Sequence, residues 1–343
     1  MLKTIVNNIF SFLFSIFMVA LYLSIFKTNS NIEKNLSFVL IAQSIIIVLM
    51  LLSPELRELI QLYIRTEDEL SRMSVYDGVR GLGISGSIAF GLSITMGLLS
   101  YVMLFWFSNY CKYSALTKFT LFLLAFIASL SAGRTAILAF ILGFILIFLQ
   151  SRSLKIVKNT TKYFIILLSC LSIIAYILNT SDYLAPTIDR YINYAFQPVI
   201  NFLDTGSFSV SSTDKLKEMY FMPDKSSTIL FGDGLYTTDN GYYYMNTDSG
   251  YLRFILYFGI FGSIIPYLAF ITFCVYSLYL SKRINKNTRL FFVFIIIMTF
   301  ILQYKGEVIF YNIYYMKIVF ILGFYYIYLA QKIDENSTLT VSK

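Results

Sequence analysis

Apolar segments long enough to cross a lipid bilayer recur along this 343-residue chain. A helix needs about 20 mostly apolar residues to span the hydrocarbon core, and it must satisfy its own backbone polar groups there. Hydrophobic runs predict about nine such helices (range 9–11). They lie at 5–26, 36–52, 83–107, 116–131, 135–150, 162–180, 254–280, 289–303 and 309–330. The expected fold is an all-α polytopic membrane protein, with residues 1–343 forming one integral membrane domain.

Composition supports this class and excludes others. Only 13% of the residues are charged and the mean hydropathy is +0.70, which is typical of a membrane protein rather than a soluble domain. The net charge of +8 lies largely in short loops, so it indicates membrane topology and not a nucleic-acid partner. The chain has no histidine, and its three cysteines lack metal-binding spacing. We expect neither a metal nor a cofactor.

Two basic linkers predict the orientation in the membrane. Residues 151–162 and 281–289 each carry four Lys or Arg residues and no acid, which is typical of cytoplasmic loops. Alternation of the spans then places residues 181–253 outside as one long external loop, together with residues 53–82 and the corner at 131–134. Within 54–72, apolar residues recur at helical spacing, so an amphipathic helix on the outer leaflet is expected.

Two arginines stand at predicted outer ends of spans. Arg134 follows the small residues of "SLSAG", and Arg80 lies in the glycine-rich segment 76–91. A guanidinium fits phosphate with two parallel hydrogen bonds, so both are candidates for phosphate binding. The alternative for Arg134 is contact with lipid phosphate at the helix end. The G-x-G-x-x-G pattern within 76–91 follows no strand, which argues against a nucleotide-binding loop.

The segment 231–254, "FGDGLYTTDNGYYYMNTDSGYLRF", is unusually polar for this chain. Its glycines predict a turn with positive φ, and its tyrosines offer flat faces on which sugars stack. In the absence of histidine, a carboxylate is the candidate general base. An aromatic belt at the bilayer interface would explain some tyrosines but not the aspartates and glycines. Candidate substrate-binding residues are Gly232, Gly234, Asp239, Tyr242, Tyr243, Tyr251 and Arg253, and the candidate bases are Asp233, Asp239 and Asp248.

A further polar turn, "QYKGEV", precedes the last predicted span. Lys305 and Glu307 either pair with each other at the interface or supply a cation, Lys305, that binds phosphate.

The order of these features resembles the O-antigen and capsule polymerase family (Wzy-type), which is related to the O-antigen ligases. The resemblance covers residues 72–262, and its motif residues are Gly232, Gly234, Asp248, Tyr251, Leu252, Gly259, Ile260 and Gly262. It implies a metal-independent glycosyltransferase at the outer face of the bacterial cytoplasmic membrane. Such enzymes join oligosaccharide repeat units carried on undecaprenyl diphosphate, in the company of membrane lipid and of a chain-length regulator protein.

The resemblance also implies roles for residues. Asp248 and Arg134 would be catalytic, with Arg80 and Lys305 among the substrate-binding residues. The ligase relatives use a histidine in the stretch that contains Asp248, so either Asp248 replaces it or the base lies elsewhere. The main alternative enzyme is an O-antigen ligase, against which the absence of histidine argues. A flippase or other transporter is the alternative from another class, although internal repeats and charges within spans, which transporters commonly show, are not evident.

Overall fold

The computed structural model describes residues 1–26, 31–67, 69–70, 83–150, 200–206, 211–238 and 242–341, together with positions 169, 193 and 197. These residues are predominantly helical. The helices are α1 Leu2–Phe26, α2 Ile32–Leu52, α3 Pro54–Ile64, α4 Ala89–Asn109, α5 Ala115–Ala132, α6 Ile137–Gln150, α7 Ser211–Glu218, α8 Ser226–Phe231, α9 Gly250–Ile284, α10 Lys286–Lys305 and α11 Ile313–Val341.

Seven helices in the described part of the chain are long and apolar enough to cross a membrane. They are α1, α2, α4, α5 and α10, with residues Gly250–Lys282 of α9 and Ile313–Ile333 of α11. The apolar stretch Arg134–Gln150, which contains α6, is shorter. The prediction of an all-α polytopic membrane protein is confirmed to this extent, and the predicted span 162–180 lies outside the described residues except for position 169.

The chain divides into two compact units. One contains Met1–Ile32 and Ser211–Lys343, and the other contains Glu33–Val210. The predicted external loop 181–253 is therefore shared between them, and its described part after Ser211 forms α7, α8 and the segment leading into α9. Its predicted position outside the membrane stays a prediction.

In the unit Glu33–Val210, helix α4 is buried along nearly its whole length and packs against α5 and α6. The hydroxyl of Ser93 attaches the α5–α6 corner to α4, because it donates to the carbonyl of Gly133 (2.6 Å) and accepts the amide of Ala136 (3.1 Å). A Cβ at Gly97 would lie 3.2 Å from Cα of Ala136, so a small residue permits this close approach. The corner that carries Arg134 is thus held by α4.

Helix α3 occupies part of the predicted amphipathic segment 54–72. Ser53 caps it by accepting the amide of Leu56, and proline follows at the first helical position. The helix ends at Ile64, and its buried face is polar, because Gln61 donates to the carbonyl of Gly83. Apolar side chains are exposed on the remaining surface, at Leu59, Leu62 and Tyr63. Contact of this surface with the outer leaflet stays a prediction.

In the other unit, α9 packs against α8, α10 and α11, and it is interrupted at Gly259, where φ is +68° and ψ is 177°. The interruption leaves carbonyls without helical partners, and the loop after α8 supplies replacements. The amide of Asp233 donates to the carbonyl of Leu256 (2.8 Å), and the amide of Gly234 donates to that of Tyr257 (3.2 Å). The loop is thereby fixed against the interruption in α9.

Gly232 makes this contact possible. Its φ of +74° lies in the region that favours glycine, and a Cβ there would lie 2.5 Å from the carbonyl oxygen of Tyr257. Gly234 also has a positive φ, +68°, so the turn predicted from these two glycines is confirmed.

Candidate functional site

Arg253 lies at the centre of the polar cluster in this unit. It belongs to the first turn of α9, which begins after Ser249, whose side chain caps the helix by accepting the amide of Leu252. Only 4% of Arg253 is exposed. Its guanidinium carbon lies 3.9 Å from the ring centre of Tyr236 and 3.7 Å from that of Tyr243. The two ring planes are inclined by 67°, so the tyrosines cover different sides of the cation.

Glu307 supplies the negative charge opposite Arg253. Its Oε1 lies 3.1 Å from Nε of Arg253, and the residue is 8% exposed. The turn between α10 and α11 holds it there, because Oε1 of Gln303 accepts the amides of Val308 (2.7 Å) and Ile309 (2.9 Å). Gly250 lets this turn approach α9, since a Cβ at that position would lie 2.3 Å from the carbonyl oxygen of Gly306.

The ion pair is close but incompletely hydrogen-bonded. Nη2 of Arg253 and Oε1 of Glu307 are buried, and neither has a hydrogen-bond partner among the described residues. Oε2 of Glu307 accepts the hydroxyl of Tyr236 (3.1 Å), and that hydroxyl also contacts the hydroxyl of Tyr311. Burial raises the pKa of Glu307, and Arg253 opposes this shift. Burial, followed by Glu307, raises the pKa of Tyr236, so Tyr236 stays a neutral donor at physiological pH.

Asp248 lies one residue before the cap of α9. The turn that carries it is fixed, because the hydroxyl of Thr247 donates to the carbonyl of Met219 (3.0 Å) and accepts the amide of Ser249 (3.2 Å). The side chain of Asp248 is exposed, yet the protein around it removes enough water to raise its pKa, and Arg253 acts in the opposite direction. An accessible carboxylate with a raised pKa is suited to accepting a proton.

The predicted sugar-stacking tyrosines take different positions. Tyr242 is 69% exposed and presents an open ring, whereas Tyr243 stacks on Arg253 and is 44% exposed. The hydroxyl of Tyr251 donates to the carbonyl of Phe300 (2.9 Å), so this residue links α9 to α10. Asp233 accepts the hydroxyl of Tyr244 (2.9 Å) and thereby supports the turn next to Tyr243.

The remaining predicted residues are Arg134, Lys305, Arg80 and Asp239. Arg134 belongs to the other unit, is half-buried, and donates from Nη1 to Oε1 of Gln197 (2.8 Å). Lys305 is the half-buried last residue of α10. Arg80 and Asp239 lie outside the described residues. The sequence analysis did not predict Glu307 as the partner of Arg253. The signal that could have indicated it is an acidic residue in a short turn between two predicted spans.

The chain matches no family model, no curated protein and no solved structure. The resemblance to repeat-unit polymerases therefore depends on the motif residues quoted above and on their order. Within the described residues, no group of three His, Cys, Asp or Glu side chains is arranged to hold a metal ion. What this part of the chain offers chemically is an accessible carboxylate before α9, a buried cation in the first turn of α9 and an exposed aromatic surface.

Proposed function

We propose that this protein is a membrane glycosyltransferase that joins oligosaccharide repeat units carried on undecaprenyl diphosphate. The observation that carries this proposal is the start of α9, where the exposed carboxylate of Asp248 lies one residue before the helix cap and Tyr243 stacks on Arg253 of the first turn. It occupies the part of the chain in which the resemblance to polysaccharide polymerases implies the catalytic loop. We place the reaction at the outer face of the bacterial cytoplasmic membrane, as that resemblance and the predicted orientation require.

The cluster supports the acceptor half of such a reaction. A sugar ring stacks on the exposed ring of Tyr242, and Asp248 accepts the proton of the attacking hydroxyl. The hydroxyl oxygen forms a bond to the anomeric carbon of the second chain. The bond from that carbon to the lipid diphosphate breaks, and the diphosphate leaves with the electron pair. Arg253 is too deeply buried to contact a sugar directly, so its contribution is to organise the cluster.

The sequence predicts that arginines stabilise the leaving diphosphate. Arg134 is half-buried and donates from Nη1 to Gln197, and a guanidinium carries five N–H donors in a fork that fits phosphate. Arg80 has the same proposed role on sequence grounds alone.

Deletion of the gene in the source bacterium tests the function directly. A polymerase mutant keeps a single repeat unit on each anchor, as seen on a gel of surface polysaccharide. Absence of any unit would favour a flippase, and a bare anchor would favour a ligase.

Complementation with Asp248→Asn tests the proposed site. This change keeps the size of the side chain and removes its basicity, and loss of a general base typically lowers the rate by about 10²–10⁴-fold. We expect almost no long polymer. Asp224→Asn is the matched control, because Asp224 is an exposed carboxylate of the same loop outside the cluster. Polymer of normal length from Asp248→Asn would exclude Asp248 as the base.

A further inference from the structure

Helix α9 is longer than a membrane span requires. Its candidate span Gly250–Lys282 has 33 residues, whereas about 20 apolar residues cross the hydrocarbon core. The side chains of residues 250–259 are buried or half-buried, and exposed apolar side chains begin at Ile260 and continue to Tyr279. A helix rises about 1.5 Å per residue, so residues 260–279 extend over about 30 Å, which is the thickness of that core. This match indicates that the acyl chains begin at the level of the interruption in α9.

The end of α8 lies at the same level. This short helix ends at Phe231, directly before the loop that is bonded to the interrupted part of α9. A Cβ on Gly259 would overlap the carbonyl oxygen of Leu230, so the two backbones are in close contact. The ring centre of Phe231 lies 5.9 Å from that of Phe261. These contacts fix the end of α8 beside the first exposed turn of α9.

The exposed surface of α8 changes from polar to apolar along the helix. Lys225, Ser226 and Ser227 at its start are exposed. At its end the exposed side chains are apolar, with Leu230 39% exposed and Phe231 69% exposed. The apolar end is the part that contacts α9, so its surface is continuous with the exposed apolar side of the span.

Asp233 is a charged group close to this surface, and it is held away from the acyl chains. Its amide donates to the carbonyl of Leu256 (2.8 Å), about one helical turn before the interruption. Its carboxylate accepts the hydroxyls of Thr228 (2.8 Å) and Tyr244 (2.9 Å). A carboxylate with these hydrogen bonds, on the side where α9 begins, does not oppose contact between Phe231 and lipid.

We propose that the apolar end of α8, formed by Leu230 and Phe231, is inserted among the acyl chains of the leaflet in which α9 begins and anchors the polar loop to the membrane surface. The bilayer is the expected occupant because this surface continues the exposed apolar side of a candidate span. The inference does not depend on the proposed enzymatic function. At about 1.5 Å per residue, Arg253 then lies about 10 Å from the first acyl chains, near the lipid headgroups.

Quenching of tryptophan fluorescence by brominated lipid tests the insertion. The chain has one tryptophan, Trp106, so Phe231→Trp in a Trp106→Phe background reports on a single position. The full-length protein is reconstituted in phosphatidylcholine vesicles whose acyl chains carry bromine close to the headgroup. We expect the emission to fall about twofold or more relative to unbrominated vesicles, because the indole lies among the acyl chains. Acrylamide added to the water should quench it only weakly.

Tyr242→Trp in the same background is the matched control. Tyr242 is 69% exposed, as Phe231 is, but it precedes Tyr243, which stacks on Arg253 and not on the exposed side of the span. Acrylamide should quench this variant, and brominated lipid should quench it much less than the variant at position 231.

The other outcomes overturn the inference. Quenching of Phe231→Trp by acrylamide and not by lipid would show that water covers α8. Resistance to both quenchers would show that protein covers it, as in a contact with a second copy of the chain. Equal lipid quenching of the two variants would show that α8 is not a distinct anchor. If Phe231→Trp does not fold, Leu230→Trp decides by the same criteria. Since the assay needs no substrate, its failure leaves the proposed function untouched.

Discussion

Replacing Gly259 by alanine should destabilise the contact that positions the candidate site. Gly259 has φ +68° and ψ 177°, a combination that is essentially restricted to glycine. A Cβ at this position would lie 2.2 Å from the carbonyl oxygen of Leu230. Alanine would therefore force either the end of α8 to move or α9 to continue as a regular helix. Both outcomes displace the loop that carries Gly232 and Asp233.

The cost follows from three contributions. Holding alanine in this backbone conformation costs about 1–3 kcal/mol. Displacement of the loop breaks the hydrogen bonds from the amides of Asp233 and Gly234 to α9, each of which contributes about 1 kcal/mol. We expect the free energy of unfolding to fall by roughly 3–5 kcal/mol, and long polymer to disappear because the tyrosines move with the loop.

Unfolding of the purified protein in mixed micelles, followed by the loss of helical circular dichroism, measures this change. Gly234→Ala is the matched control. Gly234 also has a positive φ (+68°), but no atom lies within 4 Å of the Cβ that alanine would add. Only backbone strain of about 1–2 kcal/mol should appear there. If Gly259→Ala costs no more than Gly234→Ala, the close packing between α8 and α9 does not hold the loop.

Arg134→Ala should abolish long polymer while the protein level in the membrane stays unchanged, and Arg134→Lys should restore polymer only partly because lysine cannot grip phosphate with two parallel bonds. Normal polymer from Arg134→Ala, assayed on a polysaccharide gel, would favour simple contact with lipid phosphate. Lys215→Cys should react with a membrane-impermeant thiol reagent from outside the cell, and Lys286→Cys only after the cytoplasm is opened. Protection of position 215 in intact cells would contradict the predicted orientation.

The helices could be predicted from the sequence because a bilayer requires long apolar segments with internally bonded backbones. Their ends could not. The span predicted at 83–107 begins at Ala89, since Gly83 has a positive φ and the carbonyl of Ser85 is bonded to Arg65. The span predicted at 309–330 begins at Ile313, since Gln303 holds the preceding residues in a turn. The first boundary depends on a bond between residues 20 positions apart, and the second on a side chain of the preceding helix.

Part of the candidate site could also be predicted from the sequence. The glycines of "FGDG" and the grouping of Asp248 with tyrosines are local properties of one segment, and the structure stacks Tyr243 on Arg253 and leaves Asp248 exposed just before the same helix. The pairing of Arg253 with Glu307 is not local. It depends on the close approach of Gly250 to the end of α10, which no pattern within either segment reveals.

The buried pair of Arg253 and Glu307 is better explained by the way it positions neighbouring segments than by a contribution to the stability of the fold. Removing two charges from water costs several kcal/mol per ion, and that cost is offset only when the geometry is excellent. Here the pair has one close contact, with Nη2 and Oε1 lacking hydrogen bonds to any described residue. Apolar side chains would pack against the two tyrosine rings without this cost, so stability alone does not account for the pair. It does join the start of α9 to the turn before α11, and the rings of Tyr236 and Tyr243 fix the loop against the same guanidinium.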